Sequence, residues 1–427
     1  MMHPCKRNCL VALHELLAVL LLVPVAAFAA HAQQSTGVPS SSAGDKPPYN
    51  IVFLIVDQRT YRLLAGSDYS LPALDSIARH GVTFQNHYIS SAMCSPSRAS
   101  FLTGQPPQVN GVIDQMEYAF QQSLSPNLTA PGMPDALLEY QKGWDAWSGV
   151  IPTDRKDMWS IFYNYYLNTI QDNDRSLQEI VDTLNDMDLW RDTVVIFTAD
   201  HGEMGGTHGG LKGKGPFPYE ENAHVPLIIA HPAGKAGATS SAITSHLDLL
   251  PTFVGLTGLP DAKRPQAVKA LPGRDFSALL ADPEKASITA VRPAVLFNYV
   301  GPATVDGDYL GTIMSNLFLR KPSPPLSQAN LKKRGFLSFV FDGRYKFARY
   351  YAPTAFNTPR TLDEIFKNND VQLFDLQNDP EEMHNLALEP DKNRATILRM
   401  NVLLNDLIAK EVGVNDGRFL AKVIGRK

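Results

Sequence analysis

Two runs of apolar, largely β-branched residues constrain this chain more than anything else in it: Asn50–Val56 (NIVFLIV) and Thr193–Thr198 (TVVIFT). Such runs suit strands of a sheet covered on both faces, because a sheet with one wet face alternates apolar with polar residues. The first run reads as a central parallel strand. Each run leads into an acid, Asp57-Gln58 after the first and Asp200-His201 after the second. The C-terminal ends of strands in a doubly wound sheet are where such folds gather their ligand-binding residues.

Helical periodicity fills the intervals. Pro72 to His80 reads as a helix, with a loop from there to Cys94. Trp159 to Met187 carries Ile161, Tyr165, Ile170, Leu177, Val181 and Leu184 near helical spacing and feeds the second strand, repeating the α/β order. Val225 to His231 reads as a further buried strand and His246 to Leu256 as a further helix. Pro260 to Pro293, with five prolines, reads as a connection. Beyond it the texture changes to short strands at Phe336–Phe341, Tyr345–Tyr351 and Val371–Asp375, then a last helix from Arg394 to Val412. The expected layout is an α/β domain over residues 49–262, a connection over 263–292 and a small α+β subdomain over 293–427.

Lys6 and Arg7 precede an apolar run from Leu16 to Ala29 that ends in Ala30-His31-Ala32. This is the pattern of a secretory signal peptide over residues 1–32, with an uncleaved anchor as the rival reading. A Ser/Gly/Pro-rich linker over 33–48 follows. The implied location is periplasmic or secreted. Of the three cysteines, Cys5 and Cys9 fall in the signal, so the exported chain keeps Cys94 alone and has no internal disulfide to form. A net charge of −4 gives no basic excess of the kind that points to nucleic acid. Composition does not address oligomeric state.

Cys94 stands in Cys94-Ser95-Pro96-Ser97-Arg98-Ala99-Ser100-Phe101-Leu102-Thr103-Gly104. The segment reads as a polar turn whose helical run starts near Ser100 and stops at Gly104. A thiol at a helix N-terminus beside Arg98 has a lowered pKa and is reactive. Two strand-end acids flanking such a motif suit a divalent cation, since hard cations take oxygen ligands and strand ends hold carboxylates rigidly. Asp57, Asp200 and His201 are the candidates. Downstream, Gly209–Glu221 is a glycine-flanked basic loop in which Lys214, with Lys212 as rival, offers a charge to an anion.

Cys-x-Pro-Ser-Arg followed by Leu-x-Gly resembles the signature of the type I sulfatases. The likeness extends to Asp57, to Asp200-His201, to Ser245–Thr252 and to Leu373–Glu382 followed by Asn385-Leu386-Ala387. The resemblance implies an alkaline-phosphatase-like α/β fold, a mostly parallel mixed sheet between helices, with a small antiparallel sheet and helix at the C-terminus. It implies that a maturation enzyme oxidises Cys94 to formylglycine, whose hydrate is the nucleophile. It also implies that Asp57, Cys94, Asp200 and His201 hold Ca²⁺ or Mg²⁺, that Arg98 assists catalysis, and that Lys214 and Gln58 meet a sulfate ester. Alternatives are a phosphonate or phosphate ester hydrolase of the same superfamily, or a non-catalytic relative.

One departure stands out. Sulfatases use a Lys-x-His pair and a further His between the Cys motif and the later Asp, and this chain has no His between His87 and His201. The interval is short for the family, as though a segment were missing near Leu124 to Pro134. His87 or His208 is the remaining candidate for acid work.

Overall fold

The computed structural model describes residues 49–62, 70–113, 133–152, 154–258 and 261–422. The signal peptide and linker expected over residues 1–48 lie outside the described residues, as does most of the segment around Leu124 to Pro134. Among the described residues no helix is long and apolar enough to cross a membrane.

The larger sheet has five strands: β1 (Asn50–Val56), β2 (Val82–Tyr88), β3 (Thr193–Ala199), β4 (Leu227–Ala230) and β5 (Ala238–Ser245), in the order β1-β3-β4-β2-β5. β1 pairs with β3 in parallel from Asn50–Thr193 to Val56–Ala199, and β2 pairs with β5 in parallel. β4 runs antiparallel to both β3 and β2, so it alone opposes the common direction. β2 lies where the sequence reads as a loop between Pro72–His80 and Cys94. Its bulge between Phe84 and Asn86 breaks the two-residue alternation that marks a strand. β5, ATSSAITS, is also a strand that its Ser/Thr content conceals.

β1 is not central. Among the described residues it pairs only with β3 and forms an edge of the sheet, with Ile51 37% exposed. Its apolar character comes from its two faces rather than from two neighbours. Val52, Leu54 and Val56 pack with α1 (Pro72–His80) and a long helix, Lys156–Asp186. Phe53 and Ile55 pack on the other side, where Phe53 meets Phe101 and Phe253 edge to face. A run of apolar letters reports covered faces, and it carries no information about which edges are paired.

The second sheet is antiparallel: β6 (Val295–Tyr299), β7 (Phe336–Phe341), β8 (Tyr345–Tyr351) and β9 (Asp370–Asp375) in sequence order. The helix Arg394–Leu407, extended by one wider turn to Val412, covers it through Ile397, Met400 and Leu404. Its other face shares a core with the large sheet through Tyr88, Phe217, Tyr219, Phe297, Phe339 and Phe341. Two helices not foreseen, Asp135–Ser148 and Gly307–Phe318, pack closely together. A Cβ on Gly143 would stand 2.7 Å from Leu310, so the glycine permits the approach.

Candidate active site

The site forms where β1 and β3 end and α2 (Cys94–Thr103) begins. The helix starts at Cys94, six residues before the expected Ser100, and ends on Gly104 in the left-handed region at φ 66°. Cys94 is therefore the first residue of a helix rather than part of a loose turn. Ser97, one turn on, donates to the Asp200 carbonyl at 2.5 Å and lies 3.2 Å from Nδ1 of His246, whose Nε2 lies 3.1 Å from the Ala199 carbonyl. These contacts fasten α2 to the end of β3.

Three other stretches of chain converge on Cys94. Its thiol donates to Asp57 Oδ2 at 3.4 Å, lies 3.1 Å from His201 Nε2 and receives the Lys214 ammonium at 2.5 Å. Arg98 donates through Nε to Asp200 Oδ2 at 3.0 Å and through Nη2 to Asp57 Oδ2 at 2.8 Å, tying the two strand-end acids together. Asp200 is fully buried and its Oδ1 also accepts the backbone N–H of Gln58 and of His201. Asp57 is half-exposed, so the cluster opens to solvent on that side.

Lys214 and Lys212 separate cleanly. Lys214 reaches Cys94, whereas Lys212 is turned away to Asp145 Oδ1 at 2.6 Å and the Gly149 carbonyl at 2.9 Å. Gln58 departs from expectation in a different way. Its backbone takes a left-handed conformation at φ 62°, and its side-chain amide donates to Glu203 instead of facing Cys94. Neither candidate acid reaches the cluster. His87 Nδ1 lies 2.9 Å from Thr244 Oγ1, and His208 stacks on Tyr219 with ring centroids 3.5 Å apart.

Two residues that carried no sequence signal organise this arrangement. Glu203 is fully buried and accepts Gly205 N–H at 3.0 Å, Gly213 N–H at 2.7 Å and the Gln58 amide. The Tyr140 hydroxyl donates to the Lys214 carbonyl. Gly202 lets this segment lie against Tyr219–Asn222, because a Cβ there would stand 1.8 Å from the Glu221 carbonyl. The strand-end position that singles out Asp200 and His201 does not extend to Glu203, whose role depends on contacts with Gln58, 145 residues away.

The electrostatics correct one expectation. Burial pushes the Cys94 thiol up to about 12, Asp200 and Asp57 push the same way, and Lys214 offsets only part of this. A helix N-terminus lowers a thiol pKa only where solvation is retained. The unmodified thiol is therefore protonated and a poor nucleophile at neutral pH. Burial also opposes the Asp57 carboxylate, but His201, Lys214 and Arg98 outweigh it and hold its pKa below the usual value. Burial lowers that of His201.

The donor set fits a divalent cation. The ligand atoms of Asp57, Cys94, Asp200 and His201 all lie within 4.8 Å of one another. His201 Nδ1 lies 3.0 Å from the Gly202 carbonyl, to which it donates, which leaves the Nε2 lone pair facing the cluster. Cys94 Sγ stands where the oxygen of an oxidised side chain would stand, completing a mainly oxygen set. A second buried cluster, His208, Glu221 and Glu382, already has Lys346 on Glu382 and Arg62 beside Glu221.

The family model described as Sulfatase matches residues 49–140 and 134–259, two stretches that meet at 134–140. The chain is similar to an endo-4-O-sulfatase of Bacteroides thetaiotaomicron, 30% identical over 230 residues. That match takes in 53% of this chain and 38% of the relative, so the chain spans well under half of that protein's length. It is also similar to an ulvan-active sulfatase of Formosa agariphila, 24% identical over 440 residues, 82% of this chain and 78% of the relative. That alignment is longer than the whole 427-residue chain, so the relative carries residues this chain lacks. Among solved structures, the phosphonate monoester hydrolase of Silicibacter pomeroyi superposes with a TM-score of 0.60 at 18% identity. It covers 87% of this chain and 97% of that one, and shares the fold.

Proposed function

Because this chain belongs to the sulfatase family, we propose that it hydrolyses a sulfate monoester at the cluster centred on Cys94. The observation that carries the reading is the convergence on one sulfur atom of Asp57, His201 and Lys214 from three other segments, with Arg98 linking Asp57 to Asp200. No spacing rule within a segment produces that meeting.

The roles follow from charge and reach. Asp57, Asp200 and His201 would hold Ca²⁺ or Mg²⁺ beside residue 94. Such a cation would supply Lewis-acid stabilisation of the charge on the sulfate oxygens. Oxidation of Cys94 to formylglycine by a maturation enzyme, followed by addition of water to the aldehyde, would supply a hydroxyl nucleophile that the protonated thiol cannot provide. Lys214, whose charge burial opposes but Cys94, Asp57 and Asp200 sustain, binds an equatorial sulfate oxygen and offsets the charge that grows there. Arg98 is held charged by Asp200 and Asp57 against the effect of burial, and it orients residue 94. Gln58 acts through Glu203 rather than on substrate.

No histidine among the described residues stands at Cys94 to protonate a leaving alcohol except His201, which lies within the metal set. The reading therefore predicts faster turnover of aryl sulfates, whose leaving group needs no proton, than of the alkyl-type sulfate esters carried by carbohydrates, without excluding either as substrate. A shortened segment before Pro134 would account for the missing groups, and the residues that the ulvan-active relative carries and this chain lacks support it. The relatives' names include sulfatases acting on ulvan and as an endo-4-O enzyme, and we assign this chain a sulfated carbohydrate or aryl ester outside the cytoplasm.

The test is peptide mass spectrometry across Cys94 on protein co-expressed with a formylglycine-generating enzyme. It is coupled to turnover of an aryl sulfate and an aryl phosphonate with Ca²⁺. Formylglycine with sulfate preference supports the reading; phosphonate preference moves the chemistry to the sister activity. An unmodified, inactive thiol leaves a binding protein.

A further inference from the structure

We propose that a cavity between the loop preceding β7 and the end of the helix Leu362–Asn368 is an anion subsite that takes a sulfate group of a sulfated oligosaccharide. The cavity measures about 400 Å³ and is lined by Lys332, Arg334, Phe356, Asn357, Lys367 and Asn368, with Ala352 and Ala355 completing the wall. None of these residues is acidic.

Three consecutive cations, Lys332-Lys333-Arg334, lead into β7 in a chain whose net charge is −4. They are used differently. Lys333 turns inward and pairs with Glu139 and Asp306, each at 2.8 Å. Arg334 is fixed by Asp370 Oδ1 at 2.6 Å and by the Lys367 carbonyl at 2.8 Å, which anchors it to the end of the helix opposite. Lys332 and Lys367 are exposed at the cavity, and among the described residues neither is joined to a carboxylate. Like charges gathered around one concavity repel, and a bound anion relieves that repulsion while each ammonium donates to it. Asn368 brings an amide to the same wall, that of Asn357 being held by the Ala355 carbonyl and Asn369, and the half-buried Phe356 ring gives it an apolar face of the kind that accompanies a few polar groups in a ligand site.

The basic run that borders the cavity is tied to the active site through one helix, by way of Lys333 between the two lining residues Lys332 and Arg334. The helix Asp135–Ser148 receives Lys333 on Glu139 and, at the next residue, sends the Tyr140 hydroxyl to the Lys214 carbonyl. In this proposal the cavity is a second basic station for a longer polyanionic substrate, the Lys214 site being the first. The inference rests on the sulfatase reading for the kind of anion, and its test is independent of catalysis.

Binding of a chondroitin 4-sulfate tetrasaccharide is measured by calorimetry in a Cys94→Ala background, at about 0.1 M salt so that exposed charges are partly screened. The pair Lys332→Ala/Lys367→Ala should weaken binding roughly tenfold, the scale of two charge-assisted contacts. The control pair Lys263→Ala/Lys410→Ala, two exposed lysines elsewhere, should leave it unchanged. With Cys94 restored, the first pair should turn over a small aryl sulfate at the unaltered rate. Equal losses in both pairs, no loss in the first, or inorganic sulfate binding as tightly as the tetrasaccharide would each overturn the subsite. Loss of binding in a chain that turns over no sulfate ester would retain the subsite and remove the sulfatase reading.

Discussion

The Glu203 carboxylate accepts the backbone N–H of Gly213 through one oxygen, at 2.7 Å, and the Gln58 side-chain amide through the other. Gly213 precedes Lys214 and Gln58 follows Asp57, so one buried side chain sets the spacing of two groups that face Cys94. Its own pKa is raised by burial, against which the surrounding N–H donors work.

Glu203→Ala should therefore loosen the Lys214 loop. We expect kcat/KM on an aryl sulfate to fall at least about tenfold, and stability to fall by about 1–3 kcal/mol for the donors left unpaired. Glu203→Gln keeps one oxygen for Gly205 and Gly213 and should lose much less. Equal kinetics for the alanine variant and the parent would remove Glu203 from any positioning role.

Lys214 and Lys212 should separate in function as they do in space. Lys214→Ala removes a charge facing the reacting sulfate and should lower kcat by about 10²–10³, the range of a lost transition-state donor. Lys212→Ala breaks a partly buried pair with Asp145. It should lower thermal stability with little change in kcat. Steady-state kinetics and thermal denaturation of both variants check this, and a larger kcat loss at Lys212 would reverse the assignment.

Part of this site is legible in the residues alone and part is not. Asp57, Asp200, His201 and Cys94 were legible because each is placed by a local pattern, a strand end or a fixed motif. The choice between Lys212 and Lys214 was not, because both lie in one glycine-rich loop and which one faces inward depends on Tyr140 and Trp144 packing against it. The edge position of β1 was hidden for a similar reason: helices cover both its faces, so its letters match those of a central strand. Residues such as Glu203 and His246 act through partners over a hundred residues away or across the sheet, and no window of sequence contains both ends.

Lys346 joins the two sheets. From β8 it donates to Glu220 at 2.6 Å and to Glu382 at 2.7 Å, and Glu382 accepts the Glu220 backbone N–H at 2.8 Å. Burial works against the Glu220 carboxylate, but Lys346 and His224 overcome it and hold its pKa far below the usual range. Lys346→Met leaves two buried carboxylates without their cation and should destabilise the fold by about 3–5 kcal/mol. Adding Glu220→Gln and Glu382→Gln should recover part of that loss, as denaturant titration would show. No recovery would mean that Lys346 matters through packing alone.

Two buried histidines make the fold acid-labile. Burial lowers the pKa of His246 to about 3 and that of His87 well below its usual value, and their rings lie 5.2 Å apart. His246 is further bounded by Ser97, Phe101 and the Ala199 carbonyl, and His87 by Thr244. Above about pH 6.5 both are neutral in the folded and unfolded chain, so their contribution is fully present. As pH falls below that, the unfolded chain takes up the protons and the folded one does not, so stability declines by about 1.4 kcal/mol per pH unit for each histidine. For His246 the decline runs until pH approaches about 3. Denaturant titrations between about pH 7 and about pH 4.5 should show this slope, and His246→Gln, whose amide can still donate to the Ala199 carbonyl, should reduce it by one proton's worth. An unchanged slope in that variant would place the acid sensitivity elsewhere, with the strand-end carboxylates as the next groups to titrate.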